Sequence, residues 1–191
     1  KANASWLALV ELTRQLPSGH TVTTRLYPVD FVAVARKLEE DLAADYDVAL
    51  HLGQAPGSTH VQFEAIGINV AADPDDRAAT TRPLIEAGPA AFRSPLPLEA
   101  WSRRLGEQGI PARVSFHAGT YLCNAILYLS QYTVVQNSWK TRSGFIHLPL
   151  DTSQAADHRD PLPSLSRQTA ATALKTVLEE LRIAHPASEM T

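Results

Sequence analysis

The sequence predicts an α/β fold, a single-domain three-layer α/β/α sandwich with a twisted, mostly parallel central sheet. Short apolar strands alternate with amphipathic helices along most of the chain, which is the pattern of a sheet covered by helices on both faces. The chain of 191 residues has the length of one large domain, and no linker rich in Pro, Gly and Ser divides it. We therefore assign residues 1–191 to one domain.

The helices are predicted where apolar residues recur at every third or fourth position. Leu7, Val10 and Leu12 form one such stripe near the start of the chain. Asp30 can cap the next helix, because its side chain can accept a hydrogen bond from a free main-chain N–H of the first turn. The predicted helices span 5–16, 31–44, 98–109, an apolar stretch around Cys123, and 166–184.

The strands are predicted where apolar residues alternate with polar ones or run continuously between turn residues. Val22, Thr24 and Leu26 alternate in this way. The predicted strands span 21–28, 46–53, 112–116 and 143–150, and a continuous apolar run covers 61–70. Residues 71–97 contain many Pro and Ala and little periodicity, so we predict a long surface excursion there.

Composition argues against several classes of partner. The net charge is −3, and the 17 Lys and Arg are scattered rather than collected into a basic surface, so nucleic acid is not an expected partner. No apolar run reaches the roughly 18–20 residues that a membrane span requires. The single cysteine excludes an internal disulfide framework, and we expect a location in the reducing cytoplasm.

The single cysteine, Cys123, lies near the start of a predicted apolar helix, shortly after the turn 117–119. In the first turn of a helix, free main-chain N–H groups and the helix dipole favour a thiolate, which is the nucleophile that a thiol enzyme needs. A free cysteine also packs as a small apolar side chain in many proteins. The residue pattern alone leaves both a reactive and a structural Cys123 open.

A nucleophilic cysteine needs a base, and histidine has a suitable pKa. His147 is the best placed of the seven histidines because it interrupts an apolar strand, whereas His51 is more typical of a core histidine with satisfied hydrogen bonds. An acid beside the base would fix its tautomer and stabilise its charge. Glu64 is the only charged residue in the run 61–70, so it either faces solvent at a sheet edge or is paired in the interior.

Four separated stretches together resemble one enzyme family. Motifs of the pyroglutamyl peptidase I (pyrrolidone-carboxylate peptidase) family, whose catalytic residues come in the order Glu, Cys, His, are similar to "HLGQAPG", "FEAIGINV", "SFHAGTYLCNAILY" and "GFIHLPL". The resemblance runs from "KANASW" at the start to the last predicted helix. It implies a phosphorylase/hydrolase-like fold, with Cys123 as nucleophile, His147 as general base and acid, and Glu64 as the residue that orients His147.

The resemblance also implies the reaction and the groups that recognise the substrate. The family removes an N-terminal pyroglutamate (5-oxoproline) from peptides through an acyl-enzyme, and we expect no cofactor or metal. Tyr121 matches an aromatic position beside the cysteine, and Gln54 and Asn3 match positions that contact the lactam N–H and C=O. Taken by themselves, Gln54 could satisfy its own loop and Asn3 could cap the first helix. The family commonly forms dimers or tetramers, so we expect a homo-oligomer that acts on pyroglutamyl peptides, with no nucleic acid or membrane partner.

The sequence departs from the family pattern in two places. It begins after the family's first strand and its Phe- and Gly-rich loop, so we expect a domain that lacks both. The family also carries an arginine shortly before a Pro-Asp-Asn element. Here the matching element is 74–76, no arginine directly precedes Pro74, and Arg77 follows the element.

These departures keep a second function open, that of an inactive or diverged relative that binds or hydrolyses another small acyl amide. Two further classes have little support. A nucleoside phosphorylase needs a phosphate site, and "LGQAPGST" is not a glycine-rich phosphate cradle. A metal hydrolase needs ligands at recognisable spacing, which His51, His60 and Glu64 do not have.

Overall fold

A four-stranded sheet forms the centre of the molecule. The structure is a computed structural model, and it describes residues 3–73 and 81–183. The described strands are β1 (Val48–Gln54), β2 (Val61–Glu64), β3 (Ile66–Ile68), β4 (Ala91–Arg93), β5 (Ala112–Ser115), β6 (Arg142–Leu148), β7 (Leu150–Asp151) and β8 (Ser164–Leu165). The central sheet has the order β1, β6, β2, β5. The β1–β6 and β2–β5 pairs are parallel and the β2–β6 pair is antiparallel, which confirms the prediction of a mostly parallel sheet.

Helices cover both faces of this sheet. The described helices are α1 (Ala4–Thr13), α2 (Phe31–Leu42), α3 (Leu98–Glu107), α4 (Leu122–Gln136), α5 (Thr152–Ala156) and α6 (Arg167–Ile183). One core lies between the sheet and α1, α3 and α6, and the other lies beneath α2 and α4. The predicted α/β/α layering is therefore confirmed. In the described part of the chain, no helix has the length and apolar character needed to cross a membrane.

The alternation of side chains along β2 and β6 determines which residues reach α4. Successive side chains of a strand point to opposite faces of the sheet. In β6, Ile146 enters the core beneath α1, α3 and α6, whereas Phe145 and His147 lie on the α4 side. In β2, Phe63 enters the first core and Glu64 lies beside His147. Burial of the apolar residues on one face thus directs the polar residues to the other.

The apolar run 61–70 forms two strands, β2 and β3, which belong to different sheets. The change occurs at Ala65. Its N–H donates to the Ser115 carbonyl at 2.7 Å, as a continuation of the central sheet, while its carbonyl accepts from the Ser94 N–H at 2.8 Å, just beyond β4. Because both strands are largely buried, hydrophobicity continues across the break and does not reveal it.

Two predictions for less regular segments are wrong. The strand predicted at 21–28 does not form: residues 21–26 are exposed on both sides, and Leu26 is 70% exposed, so the alternation is not matched by a buried face. The excursion predicted at 71–97 includes a strand, β4, which pairs with β3, and a bridge that joins Ala71 to Arg82.

The small β3–β4 sheet lies directly against α4. The buried Asn124 side chain accepts the Ile68 N–H and donates to the carbonyls of Ile68 and Val70, each at 2.9 Å. Gly67 meets the helix main chain, since a Cβ at this position would be only 2.8 Å from the Tyr128 nitrogen. A helix backbone cannot move aside as a flexible side chain can, so this close approach requires glycine.

We expect Gly67→Ala to destabilise the fold, because a Cβ would push β3 away from α4. Overpacking of this kind costs about 1–3 kcal/mol, which should lower Tm by several degrees in thermal unfolding. Gly106 in α3 is the matched control, since a Cβ there would meet nothing within 4 Å. Gly106→Ala should leave Tm unchanged or raise it, because alanine favours helix over glycine by up to about 1 kcal/mol. Equal Tm changes for the two variants would contradict the close approach at Gly67.

Candidate active site

Cys123 occupies the first turn of α4, as the sequence predicts. The helix begins at Leu122, and its N-cap residue, Tyr121, makes no side-chain capping hydrogen bond. The preceding turn contains Gly119 at φ 82°, a conformation that glycine adopts without steric cost. The first N–H groups of α4 therefore have no capping side chain from Tyr121, and they lie at the same end of the helix as the thiol.

His147 and Glu64 form a buried pair across the antiparallel strands β6 and β2. The distance from Nδ1 to Oε1 is 2.7 Å, and the two residues are only 8% and 1% exposed. The other carboxylate oxygen of Glu64, Oε2, has no hydrogen-bond partner among the described residues. The His147 ring is therefore the main compensation for burying this carboxylate. Of the two alternatives for Glu64, the interior pair is the one observed.

The surroundings of His147 favour its protonated form. Burial alone would lower the pKa of His147, but hydrogen bonds with Cys123 and Glu64, and the charges of both groups, raise it from 6.5 to about 9. Because Nδ1 is engaged by Glu64, Nε2 is the nitrogen that remains for the Cys123 sulfur. The three side chains thus lie in one row, with the His147 ring between Cys123 and Glu64.

Gly53 forms the floor beneath the thiol. It pairs with His147 in the parallel β1–β6 register. A Cβ at this position would be 2.8 Å from the Phe145 ring and 3.1 Å from the Cys123 sulfur. Any side chain at residue 53 would therefore displace either the ring or the thiol, so the strand contributes main chain alone at this point.

Gln54, at the end of β1, is anchored to the start of α1. Its Oε1 accepts the Ala4 main-chain N–H at 3.0 Å and the Gln154 side-chain amide at 3.1 Å. Asn3 is the N-cap of α1, and its Oδ1 accepts the main-chain N–H and the hydroxyl of Ser5 at 2.9 and 2.8 Å. The helix-capping alternative for Asn3 is thus observed, and the capping brings Asn3 close to Gln54.

Tyr121 packs against an aromatic ring that the sequence analysis did not identify. Its ring meets Phe31 edge-on, with 5.4 Å between centroids and an interplanar angle of 84°. The Arg82 guanidinium lies 5.7 Å from the Phe31 centroid. Tyr121, which precedes the thiol by two residues, therefore belongs to an aromatic pair that also contacts a cation.

His51 is a core residue, but its hydrogen bonds are not satisfied as the sequence analysis expected. It is 6% exposed, and its Nε2 has no partner among the described residues. Burial lowers the pKa of His51 to about 4, so the ring is neutral at physiological pH. Its ring is stacked with Phe145, and the Phe145 ring also contacts His147.

Sequence reasoning missed Asn124 and Gln154, although both carried a signal. Asn124 is a polar residue directly after Cys123, in the apolar first half of α4. Gln154 follows Asp151 at the spacing of a capping box, which is the motif that begins α5. Pro74, the rest of the 74–76 element and Arg77 lie outside the described residues. Within 3–73 and 81–183, no group of three or more His, Cys, Asp or Glu side chains is arranged to hold a metal ion.

Comparisons with known proteins point to one family. The family model described as pyroglutamyl peptidase matches residues 1–183. The pyrrolidone-carboxylate peptidase of Bacillus licheniformis is 35% identical over 187 residues, which cover 95% of this chain and 83% of that protein. Pyrrolidone-carboxylate peptidase 1 of Ralstonia nicotianae is 34% identical over 182 residues, which cover 93% of this chain and 84% of that protein.

Solved structures give the same result. The pyrrolidone carboxyl peptidase of Pyrococcus furiosus matches with a TM-score of 0.88 and 30% identity, covering 96% of this chain and 92% of that chain. The enzyme of the same name from Fervidobacterium islandicum AW-1 matches with a TM-score of 0.87, also at 30% identity, covering 96% of this chain and 92% of that chain. Because the family model spans nearly the whole chain and the fold agrees as well, the chain belongs to the pyroglutamyl peptidase family.

Proposed function

We propose that this protein is a cysteine peptidase that removes N-terminal pyroglutamate from peptides, with Cys123, His147 and Glu64 as its catalytic residues. Membership of the pyroglutamyl peptidase family supports the substrate class. The observation that carries the residue roles is the position of the His147 ring, which lies beside Cys123 and forms a hydrogen bond with the Glu64 carboxylate at 2.7 Å. A structural cysteine in an apolar core would not require such a partner.

In the proposed reaction, the Cys123 thiolate attacks the pyroglutamyl carbonyl carbon. The C–N bond breaks as protonated His147 gives its proton to the leaving amine, which leaves a thioester on Cys123. Neutral His147 then takes a proton from the water that attacks the thioester. The C–S bond breaks, pyroglutamate leaves, and the thiolate and the protonated ring are restored. Glu64 stabilises the positive charge on His147 in the free enzyme, before the attack and after the thioester is hydrolysed.

The negative oxygen that develops during each attack needs hydrogen-bond donors. The first N–H groups of α4 are suitable, because Tyr121 does not cap them with its side chain and because the positive end of the helix dipole lies there. The turn that contains Gly119 brings the chain into the helix at this point. We assign the oxyanion site to this helix end.

The two amides proposed to contact the lactam can offer it only donors. Gln54 Oε1 already accepts two hydrogen bonds, and so does Asn3 Oδ1, which fills both lone pairs of each oxygen. The NH₂ groups of these side chains therefore suit the lactam C=O. The lactam N–H needs a different acceptor, such as a main-chain carbonyl. Tyr121, supported by Phe31, offers an apolar wall for the ring methylenes.

We also propose that the protein works in the cytoplasm as a homo-oligomer, with pyroglutamyl peptides as its binding partners. A reducing compartment keeps Cys123 as a free thiol. Leu26, Val29 and Val32, around the start of α2, are 70%, 78% and 76% exposed, and three large apolar side chains this exposed within seven residues suit a surface that a partner covers. Sedimentation equilibrium should give a mass above that of one chain, and a monomer at micromolar concentration would contradict the assembly.

The proposed function predicts that the protein hydrolyses a pyroglutamyl-coumarin reporter and not the prolyl equivalent. Proline lacks the lactam carbonyl and brings a charged amine, so buried donors would be left unpaired and kcat/KM should fall by about a thousandfold or more. Steady-state kinetics with both reporters measure this ratio. Cys123→Ser is the control, because it should keep the wild-type Tm and lose nearly all turnover. Hydrolysis of both reporters at similar rates would refute lactam recognition.

We expect Glu64→Gln to lower activity and to move its alkaline limit. Gln can still accept a hydrogen bond from His147, but it has no charge to stabilise the protonated ring, so the pKa of His147 should fall below about 9. The alkaline limb of kcat/KM against pH, near pH 9 in the wild type, should therefore move to lower pH. The rate loss should be about tenfold to a thousandfold, smaller than that of Cys123→Ser. An unchanged alkaline limb would mean that Glu64 does not set the protonation of His147.

A further inference from the structure

We propose that Gln154 is a positioning residue that fixes the direction of the Gln54 side-chain amide, so that Gln54 presents N–H donors and not its oxygen to the lactam carbonyl. The inference rests on the proposed function for the identity of the ligand. Gln154 is the middle member of a chain of hydrogen bonds that begins at the Asp151 main-chain N–H and ends at Gln54. The donor and the acceptor of each hydrogen bond in that chain are known, because a main-chain N–H can only donate.

Two main-chain N–H groups define the directions. The Ala4 N–H meets the Gln54 side chain at 3.0 Å, and the Asp151 N–H meets the Gln154 side chain at 2.9 Å. A main-chain N–H can only donate, so the amide atom that it contacts must be the oxygen in both cases. Without such a contact, the oxygen and nitrogen of an amide group could exchange places.

Gln154 transmits this direction to Gln54. With its oxygen held by Asp151, Gln154 turns its NH₂ group toward Gln54, and Nε2 donates to Gln54 Oε1 at 3.1 Å. Gln54 Oε1 then accepts two donors and has no further lone pair to offer. No residue within 3–73 or 81–183 accepts a hydrogen bond from Gln54 Nε2, and this NH₂ group is not fully enclosed. Gln54 therefore has two donors available for a ligand.

The support for Gln154 is itself rigid. Asp151, only 3% exposed, accepts the Ser153 N–H as the N-cap of α5. The same carboxylate accepts the Arg167 main-chain N–H at 3.0 Å and its guanidinium at 2.8 Å. The start of α6 thus holds the residue whose N–H orients Gln154. A residue outside the catalytic row would in this way control the affinity for the lactam.

Gln154→Glu tests this control with almost no change of shape. A glutamate can still accept the Asp151 N–H, but it cannot donate to Gln54, and its charge repels Gln54 Oε1 and attracts Nε2. The Gln54 amide should then reverse, which breaks its bond with Ala4 and presents oxygen to the lactam carbonyl. We expect KM for the pyroglutamyl reporter to rise about tenfold or more, with kcat within about threefold of the wild type.

Three controls separate positioning from a general structural role. Gln168→Glu adds the same charge at an exposed position of α6 and should leave KM unchanged. Gln154→Met removes the donor without adding charge and should raise KM less than Gln154→Glu. In a Gln54→Ala background, Gln154→Glu should have no further effect on KM, because the group through which it acts is gone. Additive effects of the two changes, or an unchanged KM in Gln154→Glu, would overturn the proposal.

A measurement without substrate distinguishes failure of this proposal from failure of the proposed function. The main-chain amide resonance of Ala4 in a ¹H–¹⁵N spectrum reports its hydrogen bond with Gln54 Oε1. Gln154→Glu should shift this resonance and speed its exchange with solvent, whereas Gln168→Glu should not. An unaltered Ala4 resonance would refute the role of Gln154 even in an active enzyme. A wild type with no pyroglutamyl turnover would instead refute the proposed function, whatever the Ala4 resonance shows.

Discussion

The contact between Glu64 and His147 determines the chemistry of the site because it is made inside the central sheet. A carboxylate that is almost fully buried is costly to keep ionised, and the ring at 2.7 Å supplies the compensating charge. The contact requires β2 and β6 to be adjacent, with both side chains on the α4 face. That face then places Cys123 beside the ring, with Gly53 as the floor beneath the thiol. The row depends on both sheet faces, since the apolar residues of the opposite face hold the two strands in register.

The sequence predicted an element best where the apolar residues of that element alone show which of its faces is buried. The last helix was predicted at 166–184 and is observed at Arg167–Ile183, because an apolar stripe that includes Leu174, Val177 and Leu181 enters the core beside α1 and α3. The segment 21–28 shows the opposite case. Alternating apolar residues form a strand only where a neighbouring strand can pair with them and where their apolar face is buried. The local sequence shows neither condition. The division of 61–70 between two sheets depends in the same way on the distant residues Ser94 and Ser115.

In the candidate site, too, the sequence indicates some features and not others. Residue types and motif order were enough to select Cys123, His147 and Glu64 as candidates, because a thiol, an imidazole and a carboxylate differ in kind and each stood out from its surroundings. The direction of an amide group is different, since it depends on contacts that the sequence does not order. Gln54 is separated by 50 residues from Ala4 and by 100 from Gln154, yet these two fix which of its atoms is free. The unsatisfied Nε2 of His51 was equally invisible, because only the packed interior shows which partners a buried ring lacks.

The presence of a single cysteine in this sequence affects how the protein responds to oxidation of its thiol. Peroxide converts an exposed thiolate to a sulfenic acid, and many proteins stop the damage there by forming a disulfide with a second, resolving cysteine. No second cysteine occurs among these 191 residues. No cysteine within this sequence can therefore resolve a sulfenic acid at Cys123, and a thiol of another molecule, such as glutathione, would have to do so. If that rescue is slower than the next oxidation, the sulfur passes to sulfinic acid and the molecule is permanently inactivated.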